Sequence, residues 1–252
     1  MKTTTPYLLA LILLLSPCAR GAGFLDWLGL GKTSTNATPA LTAALSNQEI
    51  TGGLKEALAK GVEHAVATLG KEDGFLKDVA VKVPMPESLQ KIERTLRTLR
   101  QDKLADEFVT TMNRAAEKAV PEAAAVLGDS IKQMTLTDAK TILTGTNNAA
   151  TEYFQRTSQT NLYDRFLPIV QQATEQTGVT STYKKMMEKA SFGGFSAGAL
   201  LGQDAANLDG YVTRKSLDGL FLKIGQEEQR IRENPLARTT DLLQKVFGAV
   251  SK

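Results

Sequence analysis

"SNQEITGGLKEALAKGVEHAVATL", residues 46 to 69, has the pattern of a long helix. It opens as a capping box: Ser46 is placed to accept from the backbone of Glu49 while the Glu49 side chain reaches back. Ile50, Leu54, Ala57, Leu58, Gly61, Val62, Ala65, Val66 and Leu69 then recur every three or four residues. That period paints one side of a helix, where a strand would alternate.

The same logic carries toward the C-terminus. "VAVKVPMP" (Val79 to Pro86) alternates briefly, but its two prolines allow only one short extended segment near 79–86. Helices are expected from Ser88 to Arg100, from Lys103 to Val120, and from Pro121 in a first turn to Met134. "TLTD" (135–138) opens a short helix that stops at Gly145. Another starts at Asn147, and Leu162, Phe166, Ile169 and Val170 mark the next, with Pro168 as a kink. Val179 to Ala190, Thr213 to Glu233 (the longest) and Thr239 to Val250 complete the set. Residues 191–203, "SFGGFSAGALLGQ", carry no charge and four glycines, and read as a flexible loop. The expectation is an all-α, multi-helix globular bundle of about ten helices, forming a single domain over residues 46–250.

Upstream of Ser46 the text changes character. "MKTTTPYLLALILLLSPCARGAG" has a basic start at Lys2, an apolar run from Tyr7 to Leu15, then Pro17 and small residues. This is the order of a secretory signal peptide, cleaved after Gly21 and too short in its apolar run to span a bilayer. Cys18 follows Pro17, a poor match to lipoprotein processing, so export to the periplasm as a soluble protein is the expectation. Residues 22–45 read as an apolar patch around Trp27 and a Ser/Thr/Asn linker. Loss of residues 1–21 removes Lys2 and Arg20 but no acid, lowering the formal charge from +3 to +1. No basic excess remains to suggest nucleic acid as a partner. The only cysteine, Cys18, leaves as well, and with it any disulfide, thiolate nucleophile or cysteine metal site.

Several phrases occur together in order: "GLKEAL" (53–58), "KVPMP" (82–86), "MNRAAEKA" (112–119), "DAKTIL" (138–143) with Gly145 beyond it, "AATEYF" (149–154), "YVTRKSLDGLF" (211–221) and "EEQRIRENPLARTTDLLQKVFG" (227–248). In these the chain resembles the bacterial domain-of-unknown-function family numbered 4197, over roughly residues 40 to 250. The resemblance implies an exported, mostly helical bacterial protein. It brings no established activity, cofactor or catalytic residue.

Candidate site residues come from charges that fall on apolar stripes. Leu217, Phe221, Ile224 and Ile231 step by helical spacing, and Glu228 falls between the last two, in the middle of the stripe. A carboxylate drawn inward there must be paired, hydrogen-bonded or protonated. Arg232 at i+4, Arg238 beyond Pro235, and Arg114 from another helix are the candidate partners. Two readings stand side by side: a general acid or base with a shifted pKa, or an internal clasp that fixes how helices pack. Asn113, Arg114 and Glu117 pose the same choice between a polar cleft and bonds to a neighbouring helix. Asn147, Asn148 and Thr151 read as caps of a helix start, and Asp138 as part of its own capping box. Phe192, Phe195, Leu200 and Leu201 in the 191–203 loop are candidates for covering an apolar ligand or touching a membrane.

Standard chemistries find little footing. His64 is the single histidine, so neither a zinc set nor a Ser–His–Asp triad is expected beyond it. No phosphate loop or calcium loop matches. No metal and no cofactor are expected. The leading expectation is a non-catalytic binding protein of the cell envelope, its partner an envelope protein or a membrane surface. A carrier of an apolar small molecule or lipid is the first alternative, and an acid–base enzyme built on Glu228 with Asn113 or Arg114 the second.

Overall fold

The capping box foreseen at Ser46 forms in both directions, and it launches helix α1, Asn47–Leu69. The computed structural model describes residues 46–178, 180–184, 202–234, 244 and 246. Among them are seven further α-helices: α2 (Gln90–Thr98), α3 (Asp102–Ala119), α4 (Ala123–Gln133), α5 (Leu136–Thr144), α6 (Ala149–Glu175), α7 (Gln203–Ala206) and α8 (Leu208–Glu233). Single 3-10 turns, Glu87–Leu89 and Val120–Glu122, precede α2 and α4. The described residues contain no strand. Ala44–Lys252 form one compact unit.

Among the described residues eight helices stand where about ten were expected, and part of the difference has a physical cause. The two helices expected on either side of residue 160 are one, the 27-residue α6, with Pro168 inside it. Proline removes one backbone donor and costs a helix interior about 3 kcal/mol. Leu162, Phe166, Val170 and Ala173, all buried, straddle it. Each large apolar side chain fully buried contributes about 1.5–3 kcal/mol, which outweighs that loss. So α6, not α8, is the longest helix, and α8 begins at Leu208, five residues before Thr213. Residues 180–184 are helical as expected, while 185–190 and most of 239–250 lie outside the described residues. So do residues 191–201 of the expected loop; Gln203 already belongs to α7.

Helix α6 is the central rod. Helix α8 packs along one side of it and α3 along another, while α1 lies against α8, α4 and α5. Alanines set the spacing on α3: Ala105, Ala115, Ala116 and Ala119 are fully buried, so backbones approach closely. Short α2 buries none of its residues and hangs on α3 through Arg97, which pairs with Glu93, Asp102 and Asp106. Residues 71–86 are not helical, apart from turns, and are pressed onto α8 at Gly219. A Cβ at position 219 would stand 2.8 Å from Cε1 of the fully buried Phe75 and 3.2 Å from Val81 Cβ.

Two glycine substitutions should therefore move stability in opposite directions. Gly219→Ala gains about 1 kcal/mol of helix propensity but overpacks Phe75, at a cost of about 1–3 kcal/mol. It should lower the urea midpoint. Gly128→Ala on α4, where a Cβ meets nothing within 4 Å, should raise it. A midpoint for Gly219→Ala at or above the parent value would contradict the close approach.

Candidate functional site

The buried polar residues of α8 and α3 define the candidate site, because burial forces each to find partners. On α8, Glu228 is 7% exposed. Its Oε1 accepts from the Ala150 backbone N–H at 3.0 Å, and its Oε2 from the Thr151 N–H at 3.0 Å and the Thr151 hydroxyl at 2.9 Å. Arg232, one turn on, donates Nε and Nη2 to the same Oε1 at 3.1 and 2.9 Å. Its Nη2 also donates to the Ile142 carbonyl at 2.7 Å.

The geometry has a simple electrostatic sense. Ala150 and Thr151 are the second and third residues of α6, whose first N–H groups have no partner within their own helix. Ile142 lies in the last turn of α5, where carbonyls lack an i+4 helical partner; its own carbonyl accepts from the C-cap Gly145 N–H and has a second lone pair to offer. Glu228 therefore caps the positive end of one helix and Arg232 the negative end of the preceding one. Together they hold the α5–α6 corner, residues 145–148, against α8. The caps expected from Asn147, Asn148 and Thr151 are thus a correction. Asn148 occupies the N-cap without a side-chain cap bond, and the Thr151 hydroxyl donates to Glu228 instead.

Arg114 is the second correction: it does not pair with Glu228. It donates Nη1 to Glu117 Oε2 at 2.6 Å and Nη2 to Asp73 at 2.7 Å and Glu72 at 3.2 Å. Glu117 Oε1 in turn accepts from the backbone N–H groups of Phe75 and Leu76 at 3.0 and 3.2 Å. Asn113, fully buried, accepts from the Val83 N–H at 2.8 Å and donates to the Val83 carbonyl at 2.9 Å. Its carboxamide completes the donor–acceptor pair that a neighbouring strand would supply. So Asn113 and Glu117 bond to the irregular segment 71–86, not to a neighbouring helix. Arg238, Phe192, Phe195, Leu200 and Leu201 lie outside the described residues.

Partners on α8 for the same segment escaped the sequence reading. Lys223 Nζ sits 2.6 Å from Asp78, and the Tyr211 hydroxyl donates to the Pro84 carbonyl at 3.1 Å. Asp209 accepts from the Thr174 hydroxyl at 2.7 Å and pairs with Lys184 at 2.8 Å. Two of these carried a signal: Lys223 directly precedes Ile224 on the apolar stripe, and Asp209 stands in the first turn of α8. Neither position revealed which residue it would meet: the turn at Asp78 for Lys223, and Thr174 of α6 with Lys184 for Asp209.

Beneath the clasp is a crevice lined by Leu54, Leu58, Val62, Phe154 and Ile224, with room for about 20 Å³. That is the space of one water. Among the described residues no three His, Cys, Asp or Glu side chains converge as metal ligands, and no helix is long and apolar enough to cross a membrane. His64 is exposed on α1, its Nε2 3.4 Å from Glu227.

Two predictions follow from this wiring. Glu228→Gln keeps one acceptor oxygen but turns an amide N–H₂ toward backbone donors and leaves Arg232 without its carboxylate. It should cost about 3 kcal/mol, read by urea denaturation; an unshifted midpoint would contradict the clasp. Acid should release the 71–86 segment. The hydrogen bond from Lys77, then that from Arg114, holds the Asp73 carboxyl below its ordinary 3.8, and Lys223 does the same for Asp78. A carboxyl lowered on folding stabilises above its unfolded value and loses that contribution as pH falls through the folded one. The melting temperature should therefore drop below about pH 4, and Asp78→Asn should flatten that drop. Parallel acid profiles for the two proteins would refute the assignment.

A family model described as a protein of unknown function, DUF4197, matches residues 44–248. No curated protein and no solved structure matches the chain. The matched span takes in the α8 clasp, the Asn113–Glu117 pair and the corner they hold, and by it the chain belongs to the DUF4197 family.

Proposed function

We propose that this is a non-catalytic binding protein of the bacterial cell envelope, exported to the periplasm and acting through its outer surface on an envelope protein or membrane. The observation that carries the reading is the employment of the buried carboxylates. Glu228 and Glu117 each hold two backbone N–H groups and an arginine. An acid or base needs a proton acceptor site facing substrate, and a carboxylate saturated by fixed donors presents none. The crevice beside Glu228, sized for one water, has no room for a lipid. What remains for function is the surface. The signal-like residues 1–21 support export, although they lie outside the described residues.

Native mass spectrometry of the protein released from a Gram-negative host by osmotic shock tests both halves. The expected species is the chain cleaved after Gly21 with no small-molecule adduct. A stoichiometric adduct of lipid size, or an uncleaved chain confined to the cytosol, would overturn the proposal.

A further inference from the structure

Among the described residues an extended depression runs between α6 and α8. Two concavities, of about 820 and 380 Å³, lie along α6 and α8 and share Gln155, Asp218 and Phe221. On α8 their lining extends from Tyr211 to Gln229, and on α6 from Asn148 to Tyr163. At 1.5 Å per residue these stretches measure about 27 and 23 Å. A trough of that length fits a linear chain rather than a compact metabolite, about seven residues of extended polypeptide at 3.3 Å each.

Its lining mixes ion pairs with carboxamides, and the carboxamides are the groups left to bind. Gln155 and Gln159 project one helical turn apart on α6, and Gln226 and Gln229 on α8, all exposed. Gln155, Gln159 and Gln226 make no hydrogen bond to another described residue, and Gln229 donates to Glu233 at 2.8 Å. The charged groups in the trough each have a partner: Arg156 with Asp138 at 3.7 Å, Arg214 with Asp204, and Lys215 with Asp218 at 3.3 Å. Carboxamides spaced i,i+4 rise about 6 Å along a helix. That is close to the two-residue repeat of an extended chain, about 6.6 Å, at which backbone N–H and C=O groups face the same side. The protein itself demonstrates the mode, since the Asn113 carboxamide takes both the N–H and the C=O of Val83.

Gly225 keeps the floor low. It sits inside α8, where glycine costs about 1 kcal/mol relative to alanine. A Cβ there would lie 3.5 Å from Thr151 Oγ1, an ordinary contact, so packing does not require the glycine. Leu222, 43% exposed, supplies an apolar contact at that end.

We infer that the α6–α8 trough binds an extended peptide segment of a partner protein, with Gln155, Gln159 and Gln226 pairing to its backbone. The inference rests on the surface-binding reading above and names the surface. It is tested by selecting binders from a phage-displayed random octapeptide library against the purified protein, then measuring Kd for the synthetic, acetylated and amidated winners. The Gln155→Ala/Gln159→Ala double variant should weaken binding at least tenfold with an unchanged melting temperature. Gly225→Leu, which fills the floor, should weaken binding to a similar extent without lowering the melting temperature, and the side-chain amide resonances of Gln155, Gln159 and Gln226 should shift on titration. Peptides that bind the variants undiminished overturn the trough and leave the surface-binding reading standing. Failure to select any peptide, or the same amide shifts on adding a chitin hexasaccharide alone, also overturns it, the latter in favour of a glycan strand.

Discussion

The carboxylate of Glu228 accepting from the second and third backbone amides of α6 is the contact on which the rest of the architecture leans. Helix α6 is the rod against which α8 and α3 pack, and its N-terminus is buried at Ala150 and Thr151. Each buried amide left without an acceptor costs about 1–3 kcal/mol. Burial keeps bulk water from both amides, and α8 delivers the acceptor across a sequence gap of 78 residues. Arg232 neutralises the carboxylate and ties down Ile142 at the end of α5. One ion pair thus compensates two opposed helix ends and sets the register of α8 on α6.

The same solution recurs around the segment 71–86. Residues 71–86 have few backbone partners of their own, and Glu117, Asn113, Lys223 and Tyr211 supply them from α3 and α8. Among the described residues no buried side-chain polar atom is left without a partner. Among the described residues the buried carboxylates Glu228 and Glu117 thus serve backbone N–H groups. On the function proposed above, recognition falls to the outer surface, where the trough between α6 and α8 exposes amides.

Helical periodicity made most of this fold readable. The Ser46–Glu49 and Thr135–Asp138 boxes are local, and so was the inward placement of Glu228 by its spacing from Ile224 and Ile231. What stayed hidden is what depends on contacts distant in sequence. Arg232 was reachable as an i+4 neighbour, but the true occupants of Glu228, the amides of Ala150 and Thr151, are main-chain atoms that no side-chain pattern announces. Arg114 went to Asp73 and Glu72 instead of Glu228 for the same reason: its partners sit in a turn whose path the sequence does not encode locally. The continuity of α6 across residues 155–161 was missed because that stretch reads as polar, and only tertiary contact buries Ser158 within it. The trough escaped notice since it is made jointly by two helices far apart in the chain.

Residue-resolved amide hydrogen exchange tests the central claim most directly. The first N–H groups of a helix ordinarily lack intrahelical partners and exchange readily. If Glu228 caps α6 from α8, the amides of Ala150 and Thr151 will exchange only with global unfolding and will lose that protection in Glu228→Gln. Fast exchange at both positions in the unmodified protein, like that of an open helix end, would contradict the account.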